Sequence, residues 1–84
     1  MNEECYILLH TDLTDDTGTV DVLLFRNAEK AHQRMEKEFH IEALKLIEEG
    51  YECYTRIDEM TAEIRDVDGD AWHKWDIQDA IIEE

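Results

Sequence analysis

The apolar residues of this chain change period twice, and that limits the fold more than any other feature of the sequence. Cys5-Tyr6-Ile7-Leu8-Leu9 and Val20-Asp21-Val22-Leu23-Leu24-Phe25 are short runs of strand formers around a polar stretch that closes on Gly18. They predict a hairpin with a loose loop and Gly18 at a positive φ, where glycine meets no steric cost. From Asn27, a plausible N-cap, Ala28, Ala31, Met35 and Phe39 recur at helical spacing, and Gly50 is placed to end the helix. Beyond His40 the apolar positions Ile41, Ala43, Leu44, Leu46 and Ile47 drift off that stripe. A break or bend near His40, or a second buried face, is expected there.

After Gly50 the period returns to two. Tyr51, Cys53, Thr55 and Ile57 alternate with polar residues, as in a half-buried strand. Thr61 to Val67 and Asp70 to Ile77 flank Asp68-Gly69, a dipeptide that favours a tight hairpin turn. That turn pairs Val67 with Asp70, Arg65 with Trp72, Ile64 with His73, Glu63 with Lys74 and Ala62 with Trp75. Ala62, Ile64, Ala71, Trp75 and Ile77 then face a core, and Arg65 lies over Trp72 on the outer face. The expected architecture is one α+β domain over residues 1–84. Its antiparallel sheet has four or five strands (ββαββ or ββαβββ), with one long or bent helix packed on one face. Eighty-four residues leave no room for a second domain, and the expected radius of gyration is about 12 Å.

Tyr6 to Leu9 and Val22 to Phe25 put apolar groups on both sides of that sheet, but one helix covers one side. The other needs Ala80-Ile81-Ile82, a second copy of the chain or a partner; a homodimer is favoured.

Composition decides what such a domain can touch. The net charge is -15, which repels phosphates and anionic lipid and attracts basic surfaces. Direct nucleic-acid and membrane binding are therefore not expected. The charge is uneven: residues 1–25 carry -6, residues 26–47 carry +1 and residues 48–84 carry -10. Asp12, Asp15, Asp16, Asp66, Asp68 and Asp70, with Trp72 as an outward aromatic, are the candidate partner-binding residues. No apolar run is long enough to span a membrane and no signal-like start is present, so a cytoplasmic location is expected. Cys5 and Cys53 lack metal or disulfide spacing and read as reduced, buried small hydrophobes.

Catalytic signatures are missing. Asp66, Asp68 and Asp70 resemble part of a calcium loop, but Ile77 stands where the closing glutamate belongs. A hairpin turn explains the same residues. His32, Glu36 and His40 share a helix face without a third strong ligand and read as a solvated face. His10 and His73 read as structural histidines within strands. With no phosphate loop, HExxH motif or nucleophile elbow, the expectation is a non-enzymatic interaction protein without metal or cofactor.

The apolar strand pair, the Ala-Glu-Lys-Ala helix start at residues 28–31 and the final Trp-His-Lys-Trp-Asp-Ile resemble small acidic proteins of unknown function from phages and gut Firmicutes. The likeness spans most of the chain at the level of pattern and carries over no functional residue. Some comparable phage proteins, anti-CRISPR proteins among them, act as DNA mimics. The resemblance therefore implies an acidic surface offered to a basic DNA-binding partner. The alternative is a small homodimeric structural or regulatory domain whose acidity serves solubility.

Overall fold

In the computed structural model, which describes residues 2–13, 18–67 and 71–83, the changes of period at Asn27 and Gly50 coincide with the two ends of a helix. The order along the chain is β1 (Asn2–Asp12), β2 (Thr19–Phe25), α1 (Ala28–Glu48), β3 (Cys53–Ile57), β4 (Thr61–Asp66) and β5 (Ala71–Glu83). The fold is α+β. Its five-stranded sheet runs β2-β1-β5-β4-β3, every neighbouring pair is antiparallel, and α1 packs on one face.

Local chemistry sets the helix ends. Asn27 Oδ1 accepts the backbone N–H groups of Glu29 and Lys30 at 2.8 and 3.2 Å, satisfying two of the donors a helix start leaves open. At the other end Gly50 adopts φ +89. Its N–H donates to Ile47 O and that of Tyr51 to Leu46 O, each at 3.0 Å. This paired closure needs a left-handed residue, and it brings Tyr51 back over Leu46. Gly18 also has a positive φ, +63.

Ala31, Met35, Phe39, Ala43 and Leu46 form the buried stripe of α1. They pack on Leu8 of β1, Ala62 and Ile64 of β4, and Trp75 and Ile77 of β5. Contrary to the expected break or second buried face, α1 is continuous through His40, and Ile41, Leu44 and Ile47 are exposed. Ala43 and Leu46 keep the stripe in phase; the three larger residues lie off it.

The C-terminal segment also departs from expectation. Backbone pairing between β1 and β5 runs from Asp12↔His73 to Asn2↔Glu83, with Cys5↔Ala80 and Glu3↔Ile82 between. Residues 80–82 therefore lengthen the sheet in its own plane instead of covering its open face. Because β2 stops opposite Tyr6 and β4 starts opposite Asp76, the far ends of β1 and β5 project as a two-stranded ribbon. The molecule measures 50 × 25 × 17 Å, and its radius of gyration of 14.1 Å exceeds the value expected for a rounder domain.

The predicted register holds at Ile64↔His73, Glu63↔Lys74 and Ala62↔Trp75. It fails one step nearer the turn, where a bulge pairs Arg65 with Ala71 and leaves Trp72 as the extra residue. A bulge re-aims a side chain. Trp72 accordingly leaves the outer face expected for it and packs half-buried against the core, edge-on to Tyr51 with ring centroids 5.4 Å apart. Arg65 instead sits 3.0 Å from Glu63. The Asp68-Gly69 turn lies outside the described residues. Cys5 and Cys53 are free thiols, the first buried and the second half-buried.

Candidate functional site

The directions of the elements collect three connections at one end of the sheet. β1 runs towards this end and β2 leaves it; α1, at 1.5 Å per residue, spans about 30 Å back to it. From there β3 departs, β4 returns and β5 departs again. The connections here are residues 13–18, 49–52 and 67–70. By sequence they and their immediate flanks carry Asp12, Asp15, Asp16, Glu48, Glu49, Glu52, Asp66, Asp68 and Asp70, and no lysine or arginine. The C-terminal pole of α1 adds its own partial negative charge at the same place.

Of the sequence-predicted residues, Asp12, Asp66 and Trp72 are described and meet here. Asp12 pairs with His73, Asp66 with Cys53, and Leu13 N donates to Trp72 O at 2.7 Å. Asp15, Asp16, Asp68 and Asp70 lie outside the described residues. Glu48, Glu49 and Glu52 were missed because their proximity to the aspartates comes from the course of α1. The signal was available: a hairpin followed by one long helix must return the chain to the hairpin loop.

Beneath this end lies a chain of ionisable side chains between β1, β5 and α1. His10 Nε2 and His73 Nδ1 are 2.9 Å apart. His73 Nε2 lies 3.3 Å from Glu42 Oε2, and His10 Nδ1 lies 3.6 Å from Glu38 Oε1. On the helix surface Arg34 Nε donates to Glu38 Oε2 at 2.7 Å, and Lys45 Nζ donates to Glu42 Oε1 at 3.4 Å. Trp75 closes the inner side. Its indole stacks on His10 at 4.4 Å and 7°, meets Phe39 edge-on at 5.9 Å, and donates Nε1–H to Glu38 Oε1 at 3.3 Å.

Proton counting orders this chain. His73 is 2% exposed, and burial holds its imidazole below the usual histidine value, outweighing the attraction of Asp12 and Glu42; His10 and Lys45 add to the lowering. A neutral His73 has one N–H. Glu42 can only accept, so that proton belongs on Nε2, and Nδ1 then accepts from Nε2–H of His10. A second proton on His73 would reverse this bond, with Nδ1–H donating to Nε2 of His10 in its other tautomer. The arrangement satisfies its members: among the described residues no buried side-chain nitrogen or oxygen lacks a hydrogen-bond partner.

Above His73 the end opens as a cleft of about 330 Å³. Glu42, Lys45 and Leu46 of α1 and the capping residue Glu49 form one wall, and Tyr51 with Trp72 forms the other. Sequence reasoning missed Tyr51 as a site residue, although its place directly after Gly50 marks it as the residue folded back by the helix cap. Away from the cleft, His32 and His40 hold separate contacts. His32 bonds Glu59 O at 2.9 Å and pairs with Glu36 at 3.4 Å, and His40 lies edge-on to Phe39. Among the described residues no three histidine, cysteine or acidic side chains come together in a way that could hold a metal ion, and no helix is long and apolar enough to cross a membrane.

No protein-family model, curated protein or solved structure matches the chain.

Proposed function

We propose that the protein is a non-enzymatic interaction protein that presents the acidic end of its sheet to a basic partner, a DNA-binding protein whose nucleic-acid groove it occupies. The observation that carries this reading is topological: three connections meet at one end, and by sequence they and their immediate flanks hold nine acids and no lysine or arginine. The connections at the opposite end carry Arg26 in one and Asp58 and Glu59 in the other, and the β1–β5 ribbon that projects there adds Glu3, Glu4 and Asp79. Charge placed in this way steers a basic surface to one pole. A cytoplasmic setting in a phage or mobile element accords with this role.

Displacement of a labelled DNA duplex from a lysine- and arginine-rich DNA-binding domain tests it. The protein is expected to release the duplex at low ionic strength and to lose affinity steeply as the screening length shrinks from about 30 Å at 0.01 M salt to about 8 Å at 0.15 M. Absence of displacement at low salt contradicts the proposal.

A second reading, the homodimeric structural or regulatory domain, is favoured by the open face of the sheet. Val20, Val22 and Leu24 on the edge strand β2 are 59%, 56% and 68% exposed. They stand in register beside Thr11, Leu9 and Ile7 of β1. An apolar strip of this kind is a common contact surface. Under this reading sedimentation equilibrium gives twice the chain mass, and Val22→Lys returns it to one.

A further inference from the structure

We propose that the cleft between the last turns of α1 and the start of β5 binds an arginine side chain of the basic partner; this rests on the interaction role above. Two backbone devices build the cleft. The bulge turns Trp72 to the same side of β5 as His73, and the helix cap folds Tyr51 back over Leu46. The two rings stand at 74°, with centroids 5.4 Å apart, so they form a corner that offers π surface to an entering group.

Charge selects what enters. Glu49 also lines the cleft, seven residues and thus two turns from Glu42, on the same side of the helix. Glu42 is committed, one oxygen to His73 and the other to Lys45, which leaves Glu49 as the carboxylate for an incoming cation. The helix C-terminus adds partial negative charge, and Leu46 supplies an apolar wall for an alkyl stem. A guanidinium fits better than an ammonium because its plane stacks on an aromatic face while its N–H groups donate in plane to a carboxylate.

An arginine–glycine repeat peptide, its lysine counterpart and its citrulline counterpart are the probes, with the side-chain resonances of Trp72 and Tyr51 as readout. The arginine peptide is expected to shift both rings, the lysine peptide to bind more weakly, and citrulline, which keeps the shape without the charge, to leave them unmoved. Trp72→Leu is expected to weaken arginine-peptide binding roughly 2- to 30-fold, the range for a cation over an aromatic face, and the surface change Glu49→Gln by roughly 1.5- to 5-fold, the range for an exposed ion pair. Glu49→Gln leaves the packing untouched, so its result stands if Trp72→Leu unfolds. Equal shifts with citrulline, or unchanged affinity in Glu49→Gln, overturn the site. If the DNA-binding domain still binds while the arginine peptide moves neither ring, the cleft is wrong and the interaction role stands. If the peptide binds in the cleft but the DNA-binding domain does not bind, the role fails and the assignment to a partner's arginine fails with it.

Discussion

Trp75→Ala is expected to lower the stability of the fold by about 3–5 kcal/mol, the range for removing a fully buried aromatic side chain. At 1% exposure the indole is the largest side chain so deeply buried, and its neighbours cannot close the gap. Phe39 is fixed on the helix and His10 is held between His73 and Glu38. The substitution also leaves Glu38 without the indole N–H. A domain of this length has about 4–13 kcal/mol in total, so the loss removes a large share of the stability and unfolds the variant if the total lies at the low end of that range. Trp75→Phe keeps a ring against Phe39 and His10 and should cost clearly less. Denaturant unfolding followed by circular dichroism measures both; a loss below about 1 kcal/mol for Trp75→Ala contradicts the core assigned here.

The second large effect concerns pH. His73 has a folded pKa below its ordinary value because it is buried. Between that lowered value and about 6.5 the unfolded chain binds a proton at this residue and the folded chain does not, so stability falls as pH drops through this window and is fully present above it. The comparison that isolates His73 is wild type against His73→Gln. The variant should lose about 1–3 kcal/mol near neutral pH, because Glu42 and His10 lose their shared partner. It should also depend less on pH as the pH falls below about 6.5. Parallel stability curves for the two proteins contradict a neutral, buried His73.

What was legible in the sequence was local. Asn27 and Gly50 marked the helix ends because capping is decided within a few residues, and the hairpin register from Ala62 to Ile64 followed from alternation on both strands. The bulge was not legible, since an extra residue leaves the alternation of Trp72, His73, Lys74 and Trp75 superficially intact. The full lengths of β1 and β5 escaped for another reason: they pair with each other from opposite ends of the chain, which no local period records. The same pairing joins His10 to His73, 63 residues apart, and converts two histidines with no individual signal into one hydrogen-bonded chain. Acid content was visible as segment charge, but its concentration at one end depends on strand direction and helix length. Ile41, Leu44 and Ile47 misled because hydrophobic identity was taken for burial.

The helix and the two longest strands thus serve a common geometric end. They carry three acidic connections to one pole and hold the Trp72–Tyr51 cleft against it.

The most direct test of that pole compares two triple variants with equal charge change in the DNA-displacement experiment. One neutralises Glu48, Glu49 and Glu52 to glutamine; the other neutralises Glu4→Gln, Glu59→Gln and Asp79→Asn, exposed residues outside the three acidic connections. The first is expected to lose affinity for the basic domain by about tenfold or more while the second stays close to wild type. Equal losses in the two would mean that net charge alone attracts the partner, and would contradict an acidic end as the binding surface.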